Sequence, residues 1–207
     1  MRVLVACEYS GRVRDAFSQR GHFALSCDLL ATESEGNHYQ GDVRDILHEE
    51  WDLIIAHPPC TYLTRAGVGW LYHDSKTMTI DSRMAEVKKA RDFFMLLLNH
   101  RAPRICVENP VPHKLAGLPA YTQVIEPWWF GESERKKTCL WLKGLPKLNG
   151  LPEVAANPLK YIPGPVFTDK SGKKRYYTDS QPNTPDRWKE RSRTFKGIAN
   201  AMANQWG

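Results

Sequence analysis

Met1-Arg2-Val3-Leu4-Val5-Ala6-Cys7-Glu8-Tyr9-Ser10-Gly11 opens the chain with a short apolar run that stops abruptly at a turn cluster. The run is continuous rather than alternating, which marks a strand buried on both faces, as in a parallel sheet. A helical pattern follows at once, with Val13, Ala16 and Phe17 at i, i+3, i+4 and an end at Gly21. The same order of strand, turn and helix recurs further on. Residues 22–27 read as a second short strand closing on Asp28, and 51–56 as a third, broken by His57-Pro58-Pro59. Residues 82–99 read as a long helix with Ala85, Val87, Ala90, Phe93, Phe94 and Leu97 on its inner side. Arg104-Ile105-Cys106-Val107 is another strand, stopped by Glu108-Asn109-Pro110. Strands alternating with helices predict an α/β fold built of βαβ units around a mostly parallel sheet. Acidic or polar residues stand just past the strand ends, on the edge where open α/β sheets place their ligands.

From residue 123 the pattern changes. Residues 123–126 and 138–142 read as two strands joined through 130–137, and after Gly144 the chain is rich in Pro and Gly to about residue 165. Residues 166–168 and 175–178 flank Asp169-Lys170-Ser171-Gly172-Lys173-Lys174, a basic hairpin tip, and 194–205 form a last helix. The chain therefore divides into a core at 1–144, a small basic insertion at 145–193 and a C-terminal helix at 194–207. With 207 residues, 42% of them apolar and 25% charged, it is long enough to bury a core without metal or disulfide staples. Residues 1–100 hold 11 Lys/Arg against 14 Asp/Glu, whereas 101–207 hold 18 against 9, so the second half is suited to a polyanion. The longest apolar runs, 3–7 and 93–98, fall far short of a membrane span, and 3–7 is too short for a signal-peptide core. The five cysteines, 7, 27, 60, 106 and 139, contain no C-x-x-C pair, which argues against a disulfide scaffold or zinc ribbon and for a reduced cytoplasm. No metal is expected.

Three places carry candidate chemistry. Cys7-Glu8-Tyr9-Ser10-Gly11 lies at a strand-to-helix turn, where Gly11 permits close backbone approach and the helix offers free N–H groups. Asp28, seventeen residues beyond Gly11, can bind both hydroxyls of a ribose, and Asp42, in Gly41-Asp42-Val43, can accept from an adenine amino group. Together these point to an adenosine-containing cofactor, although a glycine turn alone occurs at strand–helix connections of any α/β protein. No G-x-G-x-x-G and no Walker lysine is present, which disfavours dinucleotide and ATP. The second place is His57-Pro58-Pro59-Cys60, where a rigid turn presents a thiol at the ligand edge. The other four cysteines lie within or beside strands, where a small apolar side chain is expected. A nucleophilic thiol needs cationic or helix N-terminal surroundings, which His57 and the following Thr61-Tyr62-Leu63-Thr64 can supply in part. The third place is Glu108-Asn109-Pro110, whose acid can protonate a ring nitrogen or equally stand as a solvated strand end.

In this order the pieces resemble the DNA cytosine-C5 methyltransferase family. Ser10-Gly11 looks like its first motif, Asp28 stands where the second has an acid, and Gly41-Asp42-Val43 matches the third. Pro59-Cys60 resembles the nucleophile motif and Glu108-Asn109-Pro110 the Glu-Asn-Val motif, about 48 residues on. Phe130-Gly131 with Arg135-Lys136-Lys137 resembles the Tyr-Gly and Gln-x-Arg-x-Arg motif, and Gly197-Ile198-Ala199-Asn200-Ala201 the C-terminal Ile-Gly-Asn motif, which in the family returns beside the first. The chain looks most like short bacteriophage members, because only about 50 residues, 145–194, occupy the place of a target-recognition domain.

The resemblance implies a Rossmann-like, doubly wound, mostly parallel sheet of the methyltransferase type with a small basic appendage. It implies S-adenosyl-L-methionine as cofactor, with its ribose on Asp28, its adenine on Asp42 and Val43, and its methionine end near Tyr9, Ser10, Gly11, Pro59 and Asn200. It implies DNA as partner and Cys60 as the thiolate that adds to carbon 6 of a flipped cytosine, with Glu108 assisting at N3 and Arg135 or Lys136 near the base or thiolate. Lys170, Lys173, Lys174, Arg175, Arg191 and Arg193, with Arg187 and Lys189, are candidate phosphate contacts, and Tyr176, Tyr177 and Trp188 candidate stacking partners. The alternatives are the same chemistry on RNA or a free deoxycytidine nucleotide, a methyl transfer to an exocyclic nitrogen, and a catalytically silent nucleic-acid-binding homologue.

Overall fold

Val3, Leu4, Val5 and Ala6 are all without solvent exposure, which is the burial a strand covered on both faces requires. The computed structural model describes residues 1–64, 79–176, 184 and 187–207. Tyr177 lies outside the described residues, as does the side chain of Arg187. The sheet has seven strands, β1 (Arg2–Ala6), β2 (Phe23–Asp28), β3 (His38–Gln40), β4 (Leu53–Ala56), β5 (Arg104–Pro110), β6 (Gln123–Ile125) and β7 (Thr138–Lys143), in the order β3-β2-β1-β4-β5-β7-β6. β3, β2, β1, β4 and β5 pair in parallel, and β7 runs antiparallel between β5 and β6. This is a Rossmann-like, mostly parallel α/β sheet with one antiparallel strand.

Alternate residues of each strand feed two cores. Val3, Val5, Leu53, Ile55 and Cys106 pack with Val13, Ala16 and Phe17 of α1 (Arg12–Ser18) and with Ile198, Ala199, Met202 and Trp206 of α6 (Lys196–Trp206). Leu4, Ala6, Ile54, Ala56, Ile105 and Val107 pack on the other face with Phe94 and Leu97 of α2 (Ile80–Leu98). The short helices α3 (Pro152–Ala156), α4 (Pro158–Tyr161) and α5 (Arg187–Ser192) precede α6 in the chain. Helix α2 begins two residues before the expected start because Thr79 caps it, its hydroxyl accepting from the Ser82 N–H at 3.2 Å. Ala85, expected on the inner side, is exposed: it stands two residues, or about 200°, from buried Val87. β3 is an edge strand of three polar residues, too short and too polar to announce itself in the sequence.

Two further differences bear on the site. The fifth strand does not stop at Val107; it continues through Glu108, Asn109 and Pro110, which pair with Leu140, Cys139 and Thr138. An antiparallel neighbour supplies the hydrogen-bonding partners that extend it. The chain also leaves β1 for β2 and β3 on one side and returns to β4 on the other, so the order reverses between β1 and β4. That reversal opens a crevice at their C-terminal ends.

The turn after β1 is fixed by a buried cation the sequence reading passed over. Arg14 has no exposure and pairs with Asp15 at 2.7 Å. Its guanidinium also donates to Ser26 Oγ, Thr32 Oγ1, Ser34 Oγ and the carbonyls of Ser34 and Glu35, tying the loop after β2 onto α1. Gly11 caps α1 with φ 72°, and a Cβ there would lie 2.2 Å from Ser34 Oγ. Its freedom thus accommodates this loop. Replacing Arg14 by Met should lower stability by about 3 kcal/mol in thermal or denaturant unfolding, since Asp15 and the loop acceptors lose their donor; an unchanged midpoint would contradict the clamp.

Candidate active site

Register builds the site. Ala6 of β1 pairs with Ala56 of β4, and Ala56 with Val107 of β5. The next residues of β4 and β5, His57 and Glu108, therefore stand side by side at the sheet's C-terminal edge, with Cys7 and Glu8 on the β1 side. His57 N–H donates to the Ala6 carbonyl at 2.9 Å, which continues the ladder one step. Side chains in register point the same way, and His57 Nδ1 lies 3.3 Å from Glu108 Oε2 in a largely buried ion pair.

Glu8 occupies the turn after β1, and its role is structural as well as electrostatic. It is 4% exposed and accepts from the N–H groups of Val13 at 2.7 Å and Arg14 at 3.2 Å, capping α1. Burial pushes its carboxyl up, while the charge of His57 and those two N–H groups pull it back down, leaving it raised. Burial disfavours charge on His57, but its contact with Glu108 and the charge of Glu8 outweigh that and raise its pKa, with Lys136 opposing. Burial likewise works against ionised Glu108, yet His57 and Lys136 hold it below the usual range. His57 Nε2, Glu108 Oε2 and Asn109 Oδ1 are buried, and no described residue hydrogen-bonds to any of them, so the 3.3 Å contact of His57 with Glu108 is an ion pair that lacks hydrogen-bond alignment.

Cys60 is partly buried one turn beyond His57. Its carbonyl accepts from Leu63 and Thr64, and buried Leu63 in turn accepts from the His113 N–H at 2.8 Å, so the cysteine turn is anchored to the chain leaving β5. Burial raises the Cys60 thiol; Lys136 and Arg191 lower it again, and Glu108 adds to the rise. The cations acting on the thiol are thus Lys136 and Arg191, whereas His57, expected to serve it, is paired with Glu108. Lys136 donates to the Arg191 carbonyl at 2.7 Å, and its charge reaches Cys60, His57 and Glu108. Arg135 takes a different direction: its guanidinium donates to Tyr176 Oη at 2.9 Å and lies over that ring.

A cleft of about 240 Å³ opens at the ends of β1, β2 and β4. Asp28, Asp42, Val43 and Pro59, four of the residues expected to hold cofactor, line it together with Cys7, Leu29, Arg44 and Phe93. Burial raises the Asp28 carboxyl, and the Leu30 N–H donates to it at 3.0 Å. Asp42 caps the turn at Val43–Asp45 and pairs with Arg44 at 3.0 Å. Two carboxylates beside Leu29, Val43 and the Phe93 ring give the wall an apolar part and a hydrogen-bond-accepting part, which suits a ligand with hydroxyl or amino donors on an apolar ring. Leu29 and Phe93 were missed as wall residues; that Leu29 directly follows a strand-end acid was the available signal.

Tyr9, Ser10, Gly11 and Asn200 are not part of that wall. Tyr9 donates its hydroxyl to the Lys189 carbonyl of α5 (Arg187–Ser192) at 2.6 Å, and Ser10 is buried against Glu8. Asn200 lies inside α6 rather than in a turn, exposed because Ile198, Ala199 and Met202 take the inward stripe. Of the candidate phosphate contacts, Lys170, Lys173 and Lys174 are exposed at the hairpin of β8 (Phe167–Thr168) and β9 (Lys174–Arg175). Arg191 is exposed on α5. Arg175 pairs with Asp169 at 2.7 Å, and Arg193 is held by Glu33 at 2.6 Å and by Glu190. Among the described residues no group of three or more His, Cys, Asp or Glu could hold a metal, and no helix is long and apolar enough to cross a membrane.

No protein-family model and no curated protein matches the chain. Among solved structures it is similar to a protein described as a DNA modification methyltransferase encoded within a prophage of E. coli, at 14% identity and TM-score 0.43, over 89% of this chain and 56% of that one. It is also similar to the Entamoeba histolytica methyltransferase EhMeth, at 12% identity and TM-score 0.43, over 73% and 55%. A third is the bifunctional kinase-methyltransferase WbdD, at 12% identity and TM-score 0.37, over 70% and 35%. The chain thus spans little more than half the length of the first two.

The electrostatics rank the thiols. Burial pushes Cys27 and Cys139 up to about 12 and about 11 and Cys7 and Cys106 well above the ordinary thiol range, whereas Cys60, with Lys136 and Arg191 opposing its burial, rises by less. Iodoacetamide should therefore alkylate Cys60 before the other four, at a rate still climbing at pH 9, and Lys136→Ala should slow it several-fold at a given pH. Peptide mass spectrometry finding another cysteine modified first would refute that ranking.

Proposed function

We propose that the chain transfers a methyl group from S-adenosyl-L-methionine to carbon 5 of cytosine in DNA, through a transient bond between Cys60 and carbon 6. The observation that carries this reading is that Pro59 lines the cleft bearing Asp28 and Asp42, while the adjacent Cys60 is acted on by Glu108 and Lys136. A cofactor pocket and a thiol–acid pair on one sheet edge are what the reaction needs. Asp28 would take the ribose hydroxyls and Asp42 the adenine amino group, with Leu29, Val43 and Phe93 against the ring. When bound, the cofactor supplies an electrophilic methyl on sulfur.

Carbon 5 of cytosine is too weak a nucleophile for direct attack. The Cys60 thiol is protonated at rest, because burial outweighs its neighbouring cations, and Lys136 and Arg191 lower the cost of ionising it. Its thiolate adds to carbon 6, and the ring electrons move toward N3, where Glu108 supplies a proton. That makes carbon 5 an enamine carbon able to take the methyl group. A base, water in this reading, then removes the carbon-5 proton, the Cys60–carbon-6 bond breaks to release the thiolate, N3 returns its proton to Glu108, and the aromatic ring is restored. Lys136 is the cation we assign to this centre, since Arg135 is engaged with Tyr176.

In duplex DNA the cytosine must leave the stack at a cost of a few kcal/mol. The exposed Lys170, Lys173 and Lys174 and Arg191 would offset this on the phosphates. Nucleosides from DNA of cells expressing the wild type should contain 5-methyldeoxycytidine, and those expressing Cys60→Ser should contain none, while cofactor binding changes by no more than a few fold. A 5-fluorocytosine duplex should trap a covalent adduct on Cys60. Methyl groups appearing on an exocyclic nitrogen, or a fully active Cys60→Ser, would overturn the reading. Labelled-cofactor transfer to RNA or deoxycytidine nucleotide in preference to DNA would move it to those substrates.

A further inference from the structure

His57 is buried beside Glu108 and is not itself in contact with the reacting ring in this mechanism. Two acids act on it: Glu108 on β5, 3.3 Å from its Nδ1, and, through its charge, Glu8 on the turn after β1. The third charged group facing it is Lys136, from the segment before β7. Glu8 cannot turn to compete for a proton, because the Val13 and Arg14 N–H groups fix its carboxylate. It acts on the imidazole as a stationary charge.

A lone glutamate of ordinary acidity carries a proton only about one time in a thousand near pH 7.3. A donor to N3 therefore needs a reserve. Resting on the cytosine reading, we propose that His57 is the proton store of Glu108: imidazole and carboxylate jointly hold one mobile proton, which Glu108 delivers to ring N3 and recovers when the product leaves. The atoms balance. As the Cys60 sulfur–carbon-6 bond forms, the proton on His57 Nδ1 passes to the Glu108 carboxylate, which hands it on to N3. The result is neutral His57, ionised Glu108 and an N3-protonated adduct. When the sulfur–carbon bond breaks, the N3 proton returns through Glu108 to Nδ1.

Two features support a transferable proton. The pair's charges favour imidazolium and carboxylate at rest, His57 raised and Glu108 lowered against the burial of both. Among the described residues nothing accepts from Nε2, so the second N–H of the imidazolium lacks the acceptor that would lock the charge in place. His57 is thus a positioning residue that acts through Glu108.

The test uses the full chain labelled with ¹⁵N at histidine, with His57 assigned by its loss in His57→Asn. The His57 ring should remain protonated at least one pH unit above exposed histidines, and Glu108→Gln should lower its pKa by a unit or more. A neutral His57 at pH 7, or one indifferent to Glu108→Gln, overturns the inference without reference to activity. In methyl transfer to a cytosine-containing duplex, the ratio of kcat for His57→Gln to wild type should fall about ten-fold or more from pH 6 to pH 8, with KM for DNA unchanged. Dividing by wild type removes the pH dependence of Cys60, which both share. A flat ratio in an active wild type overturns the inference alone, whereas a wild type that methylates no cytosine overturns the reading beneath it.

Discussion

The in-register pairing of β1, β4 and β5 is the constraint on which the candidate site depends. Ala6, Ala56 and Val107 lie abreast with no exposure, and the residue that follows each of the last two is ionisable. A slip of one residue in β4 would send His57 toward the α2 face and break its contact with Glu108. The small residues at this level allow close packing, and the two prolines after His57 prevent the strand from continuing. The hydrophobic core thereby sets the alignment of the polar groups. Binding energy spread over two apolar layers holds a few charges within contact distance of one another.

Holding those charges there is costly in itself. Glu8, His57 and Glu108 share a region from which water is largely excluded, and a buried charge without a partner costs several kcal/mol. The structure meets this with fixed donors. Backbone N–H groups of α1 satisfy Glu8, and His57 contacts Glu108. Lys136 adds positive potential from a loop tied down by the Arg191 carbonyl. The result is an arrangement with two acids, one base and one cation whose protons respond to small changes nearby. Such coupled groups are commoner in reactive sites than in structural cores.

Much of this was legible in the sequence. The continuous apolar runs gave both-faced burial of β1, β4 and β5, and the acids after strand ends marked the cleft wall at Asp28 and Asp42. What was not legible depends on long-range pairing. β3 is three polar residues at an edge, visible only once β2 is beside it. Glu108 reads as a residue past a strand end, yet β7 arrives from thirty residues away to make it part of the strand. His57 looks like a neighbour for Cys60 on a linear reading; sheet geometry gives it to Glu108 instead. Asn200 was placed by resemblance to a turn, but the stripe of Ile198, Ala199 and Met202 continues the helix through it and turns it outward.

The same long-range logic divides the basic second half. Positive charge counted along the chain suggests a uniform polyanion surface, but several of its cations already have intramolecular work. Arg193 joins Glu33 and Glu190, Arg175 joins Asp169, and Lys136 joins the Arg191 carbonyl. Together with the Tyr9 hydroxyl on the Lys189 carbonyl and Arg12 on the Thr194 carbonyl, these contacts bind α5 and the start of α6 across the turn after β1. Phosphates competing for the paired cations would have to displace carboxylates, whereas Lys170, Lys173 and Lys174 stand exposed at a hairpin tip. Net charge therefore overstates the contact surface a nucleic acid would find. The paired cations instead brace the segment that brings Arg191 and Lys136 to bear on Cys60, so the positive charge of the second half reaches that thiol as well as the surface.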